Sequence, residues 1–101
     1  MPTKITIIID NPTDADAFES RYPSIERLAA GLPELRRLET ARVWPKEDGT
    51  PTPAHRTLDL YFDDYASASA AVSVPAAGAL FQQLAEAGAT FTGLFSDIEK
   101  A

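Results

Sequence analysis

The chain has 101 residues, of which 45% are apolar and 24% charged, a composition typical of one globular domain. This length excludes a two-domain enzyme, and residues 1–101 are predicted to form a single domain with its own core. Fifteen acidic against nine basic side chains give a net charge of −6. Because that charge repels phosphate backbones and anionic lipids, neither nucleic acid nor a membrane is expected as a partner.

The sequence contains no cysteine, which excludes disulfides, thiolate nucleophiles and cysteine-held metals and fits a reducing compartment. We therefore expect a cytoplasmic protein. The apolar run within Met1 to Asp10 is too short for a signal peptide or a membrane span. We expect no metal and no other cofactor, because one histidine, one methionine and no carboxylate cluster make a poor ligand set, and no phosphate-binding glycine loop is present.

The first half of the chain predicts a strand, a helix and a second strand. Lys4 to Asp10 is almost entirely β-branched and predicts the first strand. A stripe with three- and four-residue spacing predicts a helical segment that Gly31 and Pro33 end. The stripe consists of Ala15, Phe18, Tyr22, Ile25, Ala29 and Leu32. Pro23 lies inside this stripe and predicts either a kink or two abutting helices. Leu35 to Trp44 alternates charged and apolar residues and predicts the second strand.

The second half of the chain predicts two more strands around a divided helical segment. Pro45 to Pro53 is a proline-rich loop, and Thr57 to Asp63 predicts the third strand. Asp63-Asp64 is expected to start a helix that runs to Ser73, with a restart at Pro75 and a stop at Gly88. Thr90 to Ile98 alternates again and predicts the fourth strand.

This order of elements is typical of the α+β, ferredoxin-like βαββαβ fold, a four-stranded antiparallel sheet with its helices on one face. The first and third strands are expected in the centre. Apolar side chains such as Ile8, Tyr61 and Leu94 point away from the predicted core. Since no element remains to cover that face, we expect a face-to-face homodimer, with Ile8 and Trp44 as candidate interface residues. Alternatively, Trp44 closes the end of a pocket.

Four segments combine in a distinctive order and spacing: Phe18 to Tyr22, Leu32 to Val43, Asp48-Gly49 and Leu58 to Gly78. Together they resemble the EthD-like family of the dimeric α/β barrel superfamily over nearly the whole chain. The resemblance implies a homodimer whose two sheets form a barrel, with a small pocket in each subunit between its sheet and helices. A His-x-Pro-Leu element common in the family is replaced here by Pro23 to Leu28, so chemistry that needs that histidine is not carried over.

Five side chains are candidate pocket residues. Tyr22 either points its phenol into a pocket or hydrogen-bonds a backbone carbonyl in the core. His55, the only histidine, is either a general base or a solvated loop residue. Asp59 and Tyr61 share one face of the third strand, where Asp59 acts as an acid or base or pairs with a neighbouring arginine. Phe81 belongs to the core or to a pocket wall.

The favoured function is a dimeric barrel that binds a small apolar organic molecule and assists an oxidative catabolic or biosynthetic step. One alternative is a cofactor-independent monooxygenase, cyclase or isomerase, which requires at least two of the tyrosine, aspartate and histidine candidates to converge on one cavity. The superfamily that the chain resembles includes such enzymes, but a shared fold alone does not show which activity a member has. The other alternative is a structural subunit without a ligand.

Overall fold

The computed structural model describes residues 1–101 and contains the predicted elements in the predicted order. They are β1 Thr3–Asp10, α1 Ala15–Ala30, β2 Arg37–Arg42, β3 Ala54–Phe62, α2 Tyr65–Ala71, α3 Pro75–Glu86 and β4 Phe91–Asp97. The strands form one antiparallel sheet in the order β2-β3-β1-β4, with β1 and β3 in the centre. The predicted α+β ferredoxin-like fold is therefore confirmed.

Alternate residues of the central strands form the floor of the hydrophobic core. Ile5, Ile7 and Ile9 are at most 3% exposed, and β1 pairs Ile5 with Leu60 and Ile7 with Leu58 of β3. We call this side of the sheet the helix face, because buried residues of all three helices pack against it. None of the helices has the length and apolar composition needed to cross a membrane.

Helix α1 runs without interruption through Pro23, so the predicted alternative of two abutting helices is wrong. The helix begins after Asp14, whose Oδ1 accepts a hydrogen bond from the backbone N–H of Ala17 at 3.1 Å. Its buried stripe consists of Phe18, Tyr22, Ile25 and Ala29. Each large side chain in such a stripe contributes about 1.5–3 kcal/mol on burial, which together exceeds the roughly 3 kcal/mol that an interior proline costs.

Helix α2 approaches the sheet through small side chains, whereas α3 buries Leu80 and Leu84. Ala68 and Ala71 of α2 are fully buried. Asp64 caps α2 by accepting a hydrogen bond from the backbone N–H of Ser67 at 2.8 Å. A proline in the first turn of α3 is tolerated, because its missing N–H would have no helical partner there; Pro75 occupies this position, and the helical segment restarts there as predicted.

A β-bulge interrupts the pairing of β1 with β3. Ile9 pairs with Arg56, whereas the next residue, Asp10, pairs with Ala54, which leaves His55 as the extra residue. Bulges break the strict alternation of side chains and redirect one of them. As a result, His55 and Arg56, although adjacent in sequence, both contact α1 on the helix face.

The other side of the sheet, which we call the open face, is covered by no helix. Ile8, Tyr61 and Leu94 lie on it, as predicted from their positions in the strands. The register places many polar and charged residues beside them, among them Lys4, Thr6, Arg37, Glu39, Thr57, Asp59, Thr92 and Ser96. Apolar side chains therefore occupy only part of the open face.

Because α2 packs closely against the sheet, the effect of a larger side chain on stability should depend on its position in this helix. Ala68→Leu should lower the free energy of unfolding by about 1–3 kcal/mol, because the added atoms have no space against the sheet. Ala70→Leu, which adds the same atoms at an exposed position of the same helix, should change it by less than about 0.5 kcal/mol. Urea denaturation measures both, and equal effects would contradict this packing.

Candidate functional site

An open cavity of about 300 Å³ lies on the helix face between α1 and the edge strand β2. Its wall is formed by Tyr22, Pro23, Glu26, Arg27, Ala30 and Leu38. Two other hollows, near the C-terminus on the open face and around Arg42 to Pro45, are lined by no fully buried side chain. The cavity between α1 and β2 is the one whose wall includes a buried side chain with a polar group, and we treat it as the candidate site.

That polar group is the hydroxyl of Tyr22. The side chain is 6% exposed, and its hydroxyl oxygen is buried without a hydrogen-bond partner. Thr40 and Arg56 lie close to it, but neither reaches hydrogen-bonding geometry. The predicted alternative, a hydroxyl bonded to a backbone carbonyl, is therefore wrong. Burial raises the pKa of Tyr22 above its usual 10.0, against the opposing positive charge of Arg56, so the phenol is neutral at physiological pH.

Arg56 lies directly over Tyr22, with its guanidinium carbon 3.9 Å from the centre of the ring. Such a cation–π contact contributes about 0.5–2 kcal/mol, depending on how far it is desolvated. Arg56 faces the helices because it lies two residues before the buried Leu58 in the same strand. Its Nε and Nη2 donate hydrogen bonds to the two carboxylate oxygens of Glu19 at 2.9 Å and 2.5 Å.

Glu19 is the centre of a charged cluster between α1 and β3. Besides Arg56, its carboxylate contacts His55 Nε2 at 3.1 Å and Arg42 Nη1 at 3.5 Å. Hydrogen bonding to Arg56 is the largest influence on the carboxyl group and, against its partial burial, lowers the pKa of Glu19 to about 2. Glu19 lies three residues before Tyr22 on α1, which places the cluster next to the cavity wall.

His55 is held in this cluster instead of lying in a solvated loop. Strand β3 begins at Ala54, earlier than predicted, and therefore includes His55. The bulge turns the imidazole inward, and the His55 side chain is 11% exposed. Its ring packs edge-on against Phe18, with centroids 5.3 Å apart. The prediction of a solvated loop histidine is therefore wrong. Tyr22 and His55 are brought to the same region of the helix face, linked through Phe18 and Glu19.

Asp59 and Tyr61 lie on the open face, on the other side of the sheet from the cavity. Asp59 accepts a hydrogen bond from Thr6 Oγ1 at 2.6 Å and lies 3.8 Å from Lys4 Nζ, so the predicted arginine partner is wrong. Tyr61 donates to Glu39 Oε1 at 2.6 Å. These two candidates share a face as predicted, but they are fully engaged with their neighbours and do not reach the cavity.

Phe81 and Trp44 also lie outside the cavity. Phe81 stacks on Phe91 with ring centroids 5.2 Å apart, where α3 meets β4, so it belongs to the margin of the core. Trp44 follows β2 and is 86% exposed. The structure holds no group of three or more histidine, aspartate or glutamate side chains placed to bind a metal ion.

Glu19, Arg42 and Arg56 were not among the candidate residues predicted from the sequence. A signal was present for Arg56, because this charged residue lies one position before the predicted start of the central third strand, in the same register as the inward-facing Leu58. Such a residue requires a buried partner. Glu19, next to the buried stripe of α1, was the available carboxylate, but nothing local in the sequence pairs two residues that lie 37 positions apart.

No family model matches the chain. The chain is similar to an uncharacterised 11.0 kDa protein of the thcB–thcC intergenic region of Rhodococcus erythropolis. The two are 31% identical over 100 residues, which cover 95% of this chain and 94% of the relative.

Several solved structures share the fold. An ethyl tert-butyl ether degradation (EthD) family protein from Bacillus halodurans has a TM-score of 0.86 at 21% identity, covering 97% of this chain and 99% of the other. A dimeric ferredoxin-like protein of unknown function from Thermobifida fusca gives 0.73 at 17% identity, covering 97% and 92%. SnoaB, a cofactor-independent oxygenase from Streptomyces nogalater, gives 0.71 at 15% identity, covering 99% and 95%.

The low pKa of Glu19 predicts an acid-sensitive contribution to stability. A carboxyl group whose pKa is lowered by folding stabilises the native state above its unfolded pKa of 4.5, and this stabilisation disappears as the pH falls towards about 2. Glu19→Gln should therefore lower the free energy of unfolding by about 2–3 kcal/mol at pH 7. The difference from the wild type should shrink between pH 4.5 and pH 2.

Glu86→Gln is the matched control, because Glu86 forms an exposed ion pair with Arg21 at 3.5 Å. Surface pairs of this kind contribute about 0–1 kcal/mol. Denaturant titrations at several pH values measure both variants, and a pH-independent effect of Glu19→Gln would contradict the role assigned to its charge.

Proposed function

Because the chain belongs to the EthD-like family, and to one family with the Rhodococcus erythropolis protein, we propose that it is a dimeric α/β barrel protein of the cytoplasm. Each subunit binds a small, largely apolar organic molecule in the cavity between α1 and β2. Binding assists an oxidative step of catabolism or biosynthesis.

The unpaired hydroxyl of Tyr22 carries this proposal. A buried polar group without a partner destabilises a fold by about 1–3 kcal/mol, so its retention in a native fold requires an explanation such as a functional role. A structural subunit without a ligand gains nothing from keeping this hydroxyl, because phenylalanine would fill the same space. The position of Tyr22 in the cavity wall therefore favours ligand binding over the structural alternative.

The remaining wall favours a small and mainly apolar molecule. Pro23, Ala30 and Leu38 supply apolar surface, and the side chains of Glu26 and Arg27 lie at the exposed side of α1. A volume of about 300 Å³ is at the lower end for small-molecule sites. A molecule of one or two rings matches this space.

A cofactor-independent enzyme is the second candidate, and one observation favours it. Tyr22 and His55 approach the same cluster around Glu19, so two of the predicted proton-transfer groups lie on one side of the sheet. However, His55 Nε2 is held by Glu19, and the raised pKa of Tyr22 makes its phenol a hydrogen-bond donor at neutral pH and a poor base. We therefore favour ligand binding over cofactor-independent catalysis.

The dimer is supported by the open face and by the fold. The Thermobifida fusca structure of the same fold is described as dimeric. Ile8 and Leu94 place apolar surface on the face that no helix covers, and Leu94 is 47% exposed. Trp44, at the exposed end of β2, remains a candidate interface residue.

The Tyr22→Phe variant tests the role of the unpaired hydroxyl. Without a ligand, it should raise the free energy of unfolding by about 1 kcal/mol, because it removes an unsatisfied buried group and keeps the ring. Tyr65→Phe, at a residue that is 59% exposed, should have no comparable effect. Thermal denaturation of both variants is the measurement, and destabilisation by Tyr22→Phe would show that the hydroxyl has a partner in the protein.

The Leu94→Asp variant tests the dimer. A carboxylate at this position of the open face should shift the protein towards monomer, because burying it in an interface without a partner is unfavourable. Ala79→Asp adds the same group to the exposed side of α3 and should leave the mass unchanged. Light scattering at micromolar concentration measures both, and a wild-type monomer would refute the dimer.

A further inference from the structure

The two edges of the sheet differ in charge. Edge strands usually carry charged side chains, which keep them from pairing with other chains. Strand β2 fits this rule with Arg37, Glu39 and Arg42. Strand β4 has no charged residue before Asp97, although all its residues after Phe91 are exposed. The edge formed by β4 therefore lacks the usual protection against pairing.

The surface around β4 is also nearly free of charge. Residues 65–96, which form α2, α3 and most of β4, contain a single charged side chain, Glu86. Tyr65 is 59% exposed and packs against Phe95, which is 43% exposed, with ring centroids 5.5 Å apart. Because each chain has a net charge of −6, two copies repel each other least where uncharged surfaces meet. The uncharged edge therefore favours a second copy of this chain as its partner.

The backbone of β4 directs hydrogen-bonding groups towards this free edge. The N–H of Asp10 donates to the carbonyl of Thr90 at 2.9 Å, and the N–H of Ile98 donates to the carbonyl of Pro2 at 2.8 Å. Hydrogen-bonded residues alternate along an antiparallel pair, so the even-numbered residues of β4 bond to β1. The odd-numbered residues point their N–H and C=O groups away from β1; they are Phe91, Gly93, Phe95 and Asp97. These groups are available to a further strand.

A gap on the helix face of β4 indicates the register of that further strand. Gly93 and Phe95 lie on this face, since they pair with Ile7 and Ile5 of β1. A Cβ atom at Gly93 would meet no other atom within 4 Å. An aromatic side chain directly across from a glycine fills such a gap in a sheet. Two β4 strands related by a two-fold axis at Leu94 place Phe95 of each copy across from Gly93 of the other.

We propose that β4 pairs antiparallel with β4 of a second copy about a two-fold axis at Leu94, which joins two four-stranded sheets into one continuous sheet. In this register Gly93 and Phe95 face each other through their free backbone groups. A register centred on Gly93 would place the two glycines opposite each other and leave both gaps empty. The inference goes beyond the proposed function, because this contact uses the strand edge and the face-to-face dimer uses the open face.

The Gly93→Lys variant tests the edge contact, because it puts a charged side chain into the gap and leaves the open face unchanged. Sedimentation velocity at micromolar concentration should give the wild type at least about twice the mass of this variant, since a lysine on an edge strand opposes pairing. Gly78→Lys makes the same change at an exposed position of α3, where a Cβ atom also meets nothing within 4 Å, and should keep the wild-type mass. Far-UV circular dichroism establishes that both variants are folded.

The two contacts between copies are distinguished by the mass that Gly93→Lys retains. A dimeric variant beside a larger wild type supports both contacts, whereas a monomeric variant beside a dimeric wild type supports the edge contact and contradicts the face-to-face dimer. Equal masses of the wild type and Gly93→Lys would overturn the edge contact and leave the proposed function intact.

Single cysteines test the register, because the chain has no cysteine of its own. The Cα atoms of a hydrogen-bonded antiparallel pair lie about 5.5 Å apart, a distance that a disulfide spans. Oxidation of an equal mixture of Gly93→Cys and Phe95→Cys should therefore join the two variants to each other at least about fivefold more often than either to itself. Mass spectrometry separates the three products. A statistical ratio, with the mixed product only about twice as abundant as each of the others, would overturn the proposed pairing.

Discussion

The ion pair between Glu19 and Arg56 is the interaction on which the candidate site depends. It joins α1 to the central strand β3 through two hydrogen bonds. Arg56 occupies a strand position whose neighbours are buried, so without Glu19 it would be a mostly desolvated, unpaired charge. With Glu19, the guanidinium is fixed over the ring of Tyr22, which forms part of the cavity wall. The same ion pair therefore joins α1 to the sheet and holds a contact of the candidate site.

The fold was predictable from patterns that act over a few residues. β-Branched residues defined β1, an apolar stripe defined α1, and Pro75 divided the second helical segment. The alternative of two helices at Pro23 failed for a tertiary reason: the stripe on both sides of this residue is buried against one sheet. The predicted ends of β2 also failed, because Leu35 and Trp44 lie beyond the paired region, and an alternating pattern does not show where pairing stops.

The site was less predictable, because its contacts join distant parts of the chain. Tyr22 was chosen as a candidate from its place on the buried stripe, but its missing hydrogen-bond partner depends on what α1 packs against. His55 was chosen as a candidate from its chemistry, and its environment was predicted wrongly because one extra residue in β3 redirects the side chain. Asp59 and Tyr61 were placed on the correct strand face, yet alternation does not say that this face is opposite the cavity.

The pattern of charges on the open face has a consequence for self-association. Four of its charged side chains, Lys4, Arg37, Glu39 and Asp59, are two of each sign, and each contacts an opposite charge within the same chain. Most of the excess of negative charge therefore lies outside the centre of this face. Two copies can bring these sheets together without opposing electric fields at the point of contact, even at low ionic strength. In such a dimer, Coulomb repulsion between the outer, helix-covered surfaces of the two subunits acts only across the combined thickness of both subunits.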